Sequence, residues 1–172
     1  MSARLSPEKG IDRAIDAVGI LHQQGLKAEL MVLGEGKERP KLESQIAALG
    51  LVSEVQLRGF VENVPAELNS SSIFLFTPRR GEGTSLALIE AMLLELPCVV
   101  MDSPAMVEVV IDGETGFVVP EGEVGALAEV LRKLLVNEPL RLEMGRKGKE
   151  RALAHFTLEG LVDRLAHWLE ES

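Results

Sequence analysis

The 172-residue sequence has no tyrosine, one tryptophan and five phenylalanines. So few rings exclude an aromatic platform for stacking nucleic-acid bases. Its single cysteine, Cys98, has no partner for an internal disulfide, and its apolar neighbours mark it as a buried, inert thiol. Positive charge is scarce: 18 Lys and Arg stand against 27 Asp and Glu, a formal net charge of -9. That balance argues against a nucleic-acid groove or a polybasic membrane patch. Long hydrophobic runs are missing too. The greasiest stretch, residues 86–101, is broken by Glu90, Glu95 and Pro97, and is too short and too charged to span a bilayer. Residues 1–10 contain no apolar segment of the signal-peptide kind. The resulting expectation is a soluble, cytoplasmic protein.

What is abundant is aliphatic. Hydrophobic residues make up 46% of the chain, enough for a sizeable core and too many for disorder. Ile11, Ala14, Ile15, Val18 and Leu21 recur at helical spacing, with Gly25 as a stop. Residues 28–33 form a short apolar run ended by Gly34-Glu35-Gly36, which reads as a buried strand. Pro40 opens a helix carrying Leu42, Ile46 and Leu49, with Gly50 as its cap. Strands follow at residues 55–57, 73–76, 98–101 and 117–119, with helices at 64–70 and 85–95. Residues 3–5 read as the remnant of a further strand. Stripes at Val124, Leu127, Leu131, Leu134 and Leu135, and again from Leu158 to Leu169, make the last third helical. Short apolar strands alternating with helices specify an α/β domain with a parallel sheet of about six strands, covered on both faces. No repeat or linker divides it, so residues 1–172 read as one domain.

Ligands of such sheets lie beyond the carboxyl ends of the strands. There the sequence places Gly34-Glu35-Gly36, then Arg58-Gly59, then Thr77-Pro78-Arg79-Arg80-Gly81-Glu82-Gly83-Thr84-Ser85. Gly81 and Gly83 let backbone approach a ligand closely. The helix that starts near Ser85, Leu86 and Ala87 offers free N–H groups to a phosphate. Glu82 and Glu90 repel phosphate, so they suit the hydroxyls of a ribose or sugar; a helix start also favours Glu through its dipole alone. Arg4 and Lys9 carry donors that match a pyrophosphate, though taken alone they read as exposed charges. Arg79 and Arg80 read as solvated surface. His22, His155 and His167 lack metal-ligand spacing. Gly34-Glu35-Gly36 begins a dinucleotide fingerprint, but Arg39 occupies the place of its third glycine.

Taken together, Arg4-Leu5-Ser6-Pro7-Glu8-Lys9-Gly10 and Glu82-Gly83-Thr84-Ser85-Leu86-Ala87-Leu88-Ile89-Glu90 resemble the retaining glycosyltransferases of the GT-B fold. The second segment has the Glu, seven residues, Glu signature of group 1. Gly59-Phe60-Val61, Thr77-Pro78, Pro97-Cys98-Val99-Val100 and Asp112-Gly113-Glu114-Thr115-Gly116 fall in the family's order. The resemblance implies a Rossmann-like three-layer α/β/α domain that binds a nucleotide-diphosphate sugar. Arg4 and Lys9 would hold the diphosphate with the amides of Ser85, Leu86 and Ala87 beside Gly83 and Thr84. Glu90 would hold the ribose, and Glu82 would face the sugar. Phe60 and Val61 would border the base, and Gly34 would lie in a ligand-facing loop. It further implies hexose transfer with retention, by front-face attack in which the leaving phosphate takes the acceptor proton. No metal or other cofactor is needed, because Arg and Lys neutralise the leaving diphosphate.

Three features depart from the family pattern. The N-terminal acceptor-binding domain is absent, and any peripheral membrane contact would run through it. Only Met1-Ser2-Ala3 precede Arg4, where the family has a full central strand. Ser103-Pro104-Ala105-Met106 stands in place of a glycine pair before Glu108. Two alternatives therefore stay open: a non-catalytic nucleotide-binding module or fragment, and an NAD-type domain.

Overall fold

The structure is a computed structural model that describes residues 1–79 and 85–157. Arg80, Gly81, Glu82, Gly83, Thr84, His167 and the stripe from Leu158 to Leu169 lie outside the described residues.

Five strands are present among them: β1 (Leu30–Leu33), β2 (Val55–Gly59), β3 (Phe74–Phe76), β4 (Cys98–Met101) and β5 (Gly116–Val119). All pair in parallel, in the orders β1-β2 and β3-β4-β5. Seven α-helices precede, connect or follow them among the described residues: α1 (Ile11–Gln23), α2 (Arg39–Ala48), α3 (Val64–Leu68), α4 (Leu86–Leu93), α5 (Pro104–Val109), α6 (Val124–Leu135) and α7 (Glu138–His155).

Strand side chains alternate between two faces. Leu30, Val32, Leu75 and Val99 join one core with α1, α2 and α6. Phe74, Phe76, Cys98 and Val100 join a second core with α4, α5 and α7. A strand covered on both sides can be apolar throughout, which explains why Cys98–Met101 is wholly buried. Three layers result. Burial also pushes the Cys98 thiol pKa up, so the sulfur stays a protonated, unreactive core atom.

The strand count differs from the expected six. Residues 1–5 run beside β1 without forming a full strand: Leu33 N–H donates to Met1 O, Ala3 N–H to Leu33 O and Leu5 N–H to Glu35 O, each at 2.9 Å. Only Ser2 makes a parallel bridge, to Leu33.

Two helices escaped the hydrophobic pattern. The buried face of α7 is built from Met144, Gly145, Gly148 and Ala152, so small residues rather than large ones mark its contact with α4. A Cβ on Gly145 would stand 1.8 Å from the Glu95 carbonyl oxygen. Helix α5 is one and a half turns long, opened by Pro104, and too short to show a period.

Gly145→Ala should therefore destabilise the protein by about 1–3 kcal/mol, despite alanine's higher helix propensity. Gly125 in α6 faces open space, and Gly125→Ala should be neutral or stabilising by up to about 1 kcal/mol. Urea unfolding of the two variants checks the contrast.

Candidate functional site

The carboxyl edge of the sheet is assembled by close backbone contacts. Gly34 adopts φ 142°, and a Cβ there would stand 2.0 Å from Ala3 O. A Cβ on Gly36 would stand 2.2 Å from Leu5 O. Only glycine lets the β1 exit loop lie against the Arg4 segment. Arg39 then fixes this loop to β2. Its guanidinium takes both Glu35 oxygens at 2.6 and 3.0 Å and donates to Leu57 O at 3.3 Å. Hydrogen bonding to Arg39 lowers the Glu35 pKa. Arg39 thus ties the β1 exit loop to β2 at the point where a dinucleotide site would need glycine.

A second set of contacts joins β3 to the Arg4–Lys9 turn. Residues Pro7–Lys9 form one 3-10 turn that ends at Gly10 with φ 61°. A Cβ on Gly10 would stand 2.0 Å from Thr77 O. The buried Thr77 hydroxyl donates to Gly10 O at 2.8 Å. Arg79 Nε donates to Pro7 O at 2.8 Å, its Nη2 to Asp12 Oδ2 at 2.6 Å, and its N–H to Glu8 O at 2.8 Å. Arg79, read from sequence as solvated surface, is instead a strut between β3 and α1. Nothing local in the sequence signals that role, because its partners lie 67 and 72 residues away.

These contacts place the expected site residues. Arg4 projects outward, its side chain 71% exposed, and pairs with Glu8 at 3.2 Å. The Ser6 hydroxyl bond, then the Glu8 backbone N–H, then Arg4 lower the Glu8 pKa. Lys9 Nζ stands 5.9 Å from the centre of the Phe76 ring, over the end of β3. Ser85 is the extended residue before α4, and its carbonyl accepts from Leu88 N–H at 3.0 Å. The β3-α4-β4 crossover puts the N-terminus of α4 at this same edge. No described acceptor meets the Leu86 and Ala87 N–H groups, as expected of a first helical turn. Glu90, one turn along, is half-buried and makes no hydrogen bond or ion pair among the described residues. Phe60 follows Gly59 (φ 81°) and is 79% exposed, whereas Val61 packs into the second core. Glu82, Gly83 and Thr84 fall outside the described residues.

Ser103-Pro104-Ala105-Met106 turns the chain from β4 into α5, with the Ser103 hydroxyl buried and unbonded. Glu108 is exposed, its carbonyl held by Arg151 at 2.6 Å. His22 pairs with Glu54 at 3.4 Å on the surface, and no cluster of metal-ligating side chains occurs among the described residues. No described helix is long and apolar enough to cross a membrane.

The sequence matches the family described as glycosyl transferases group 1 over residues 1–151. The chain belongs to the group 1 glycosyltransferases. Among curated relatives it is 30% identical over 165 residues to the alpha-D-kanosaminyltransferase of Streptomyces kanamyceticus, covering 95% of this chain and 42% of that protein. It is 36% identical over 178 residues to the amylovoran biosynthesis glycosyltransferase AmsK of Erwinia amylovora, covering 95% of this chain and 44% of that one. This glycosyltransferase chain thus spans under half the length of these relatives. Among solved structures, TarM of Staphylococcus aureus superposes with a TM-score of 0.89 at 23% identity, over 96% of this chain and 34% of that one. Anabaena HepE, solved in complex with UDP, superposes at 0.87 and 24% identity, over 99% and 47%. The C-terminal domain of a group 1 protein from Francisella tularensis superposes at 0.81 and 21% identity, over 92% and 84%. The fold is the Rossmann-like half of a GT-B protein.

Thr77→Val removes the buried hydroxyl that donates to Gly10 O, an acceptor that keeps the Arg13 N–H at 3.0 Å. It should cost about 1 kcal/mol in urea unfolding, while an exposed control such as Ser53→Ala should stay within about 0.5 kcal/mol.

Proposed function

We propose that this chain is the donor-binding half of a glycosyltransferase that moves a hexose from a nucleotide-diphosphate sugar to an acceptor with retention of configuration. One observation carries the reading: the Arg4–Lys9 turn and the start of α4 share the carboxyl edge of the sheet, with Glu90 beside them and without a partner among the described residues.

Two cationic groups and a helix start can hold a diphosphate and stabilise charge on it as it leaves. Arg4 brings a planar fork, Lys9 a point charge. In the described structure Glu8 occupies the Arg4 fork. The pair is open to solvent, which screens it, so a diphosphate displaces it readily. Glu90 is suited to accept hydrogen bonds from the two ribose hydroxyls, and the exposed Phe60 offers a ring to the base. Glu82 is assigned to the sugar. In the transfer step the acceptor oxygen bonds to the anomeric carbon as the bond to the diphosphate breaks. The leaving phosphate oxygen takes the acceptor proton, so no side chain has to act as nucleophile. The acceptor is assigned to a second domain, in keeping with relatives more than twice as long, and any contact with a membrane surface to that domain also. A second reading is a domain that binds the nucleotide without turning it over by itself, since the matched region is 42% of a relative's length.

Calorimetry with UDP, GDP and ADP tests the site. One of them should bind, Arg4→Ala and Glu90→Ala should each weaken it about tenfold or more, and Glu8→Gln should tighten it a few fold by freeing Arg4. A folded protein that binds none of the three contradicts the assignment. Transfer by this chain alone, without an added acceptor domain, would exclude the module reading.

A further inference from the structure

All three carbonyls of the Pro7–Lys9 turn are met from the exit of β3. Arg79 Nε donates to Pro7 O, and the Arg79 backbone N–H to Glu8 O, each at 2.8 Å. The Thr77 hydroxyl, which donates to Gly10 O, also stands 3.4 Å from Lys9 O. Two of the three carbonyls therefore depend on one residue. The same guanidinium reaches past the turn to α1, where its Nη2 donates to Asp12 Oδ2 at 2.6 Å. Arg79 thus spans the turn from its first residue to the helix that follows it.

Stability alone does not account for this arrangement. The Arg79 and Asp12 side chains are 38% and 28% exposed, so solvent screens their attraction and its loss costs the folded chain little. The Gly10–Thr77 contact already anchors the start of α1. What Arg79 adds is geometry. Its planar fork sets two acceptors at a fixed angle, which a lysine cannot do. The Pro7 and Glu8 oxygens are turned toward β3, and oxygens engaged there do not repel an anion bound by the side chains of the same turn.

We propose that Arg79 is a positioning residue for the diphosphate: anchored by Asp12, it holds the Pro7–Lys9 turn in the form in which Lys9 meets the anion, without touching the anion itself. This inference rests on the donor-binding reading. A turn fixed in advance loses less conformational freedom when the ligand arrives, so affinity is gained without a new contact. The remaining guanidinium N–H groups of Arg79 meet no acceptor among the described residues, which makes direct contact with the anion the competing role. The two roles differ in the sign of one substitution. With the Asp12 charge removed, a positioning Arg79 loses its anchor, whereas an anion-binding Arg79 gains freedom to reach its ligand.

Calorimetry on the full chain, with whichever of UDP, GDP and ADP binds it, reads the difference. Asp12→Asn should weaken binding about threefold and Arg79→Gln about tenfold, with urea midpoints close to that of the unaltered chain. In a Lys9→Ala background Arg79→Gln should cost less than about twofold further, whereas in a Glu90→Ala background it should keep its full cost, because Glu90 stands on α4. A general loosening of the structure would weaken binding equally in both backgrounds. Tighter binding by Asp12→Asn contradicts the proposal, and so do equal losses in the two backgrounds. Asp12→Asn carries the sign of the effect even where Arg79→Gln does not fold. Binding that ignores both single substitutions overturns this inference alone, while a folded chain that binds none of the three nucleotides overturns the donor reading and this inference with it.

Discussion

The contact on which the site depends is the packing of Gly10 against the end of β3. With φ 61° and a carbonyl oxygen only 2.0 Å from where a Cβ would be, that position admits glycine alone. Thr77 then locks the approach from the other side by donating to Gly10 O. Everything that faces solvent at this edge takes its position from that junction. It sets the entry of α1, the turn carrying Arg4 and Lys9, and the strut from Arg79 to Asp12. The Gly34 and Gly36 approaches to Ala3 and Leu5 repeat the same device toward β1. A loop that would otherwise sample many conformations is held by rigid neighbours on both sides, which lowers the ordering entropy a ligand must supply.

Charge is organised locally against an acidic background. The net charge of -9 would repel a diphosphate at long range. At the edge, however, Arg4, Lys9 and the N-terminal N–H groups of α4 supply a concentrated positive field. Glu8 pairs with Arg4 at 3.2 Å and competes with an anion for its fork. Glu90, without a partner among the described residues, is available to hydroxyls rather than spent on an internal ion pair.

Much of this was legible in the sequence because the relevant signals are local. The apolar runs gave β1, β3 and β4 to within a residue or two, since strands buried on both faces need no polar alternation. The order of the family motifs marked Arg4, Lys9 and Glu90 as candidates, and the structure sets the Arg4–Lys9 turn against the end of β3. Less legible were features made by distance or by absence. α7 packs through Gly145 and Gly148, which carry no hydrophobic period. The Arg79 strut and the Arg39 clamp depend on partners far along the chain or across a strand. The division of the five described strands into two sheets appears only in three dimensions.

The central claim is that one edge of the sheet, organised around Gly10 and Thr77, receives a nucleoside diphosphate. Backbone amide chemical shifts during a titration with UDP test it most directly. The account predicts changes clustered at residues 4–10, 34–36, 59–61 and 85–90, with little change at the opposite edge around residues 27–29 and 70–72. Saturable shifts centred on that opposite edge would contradict it.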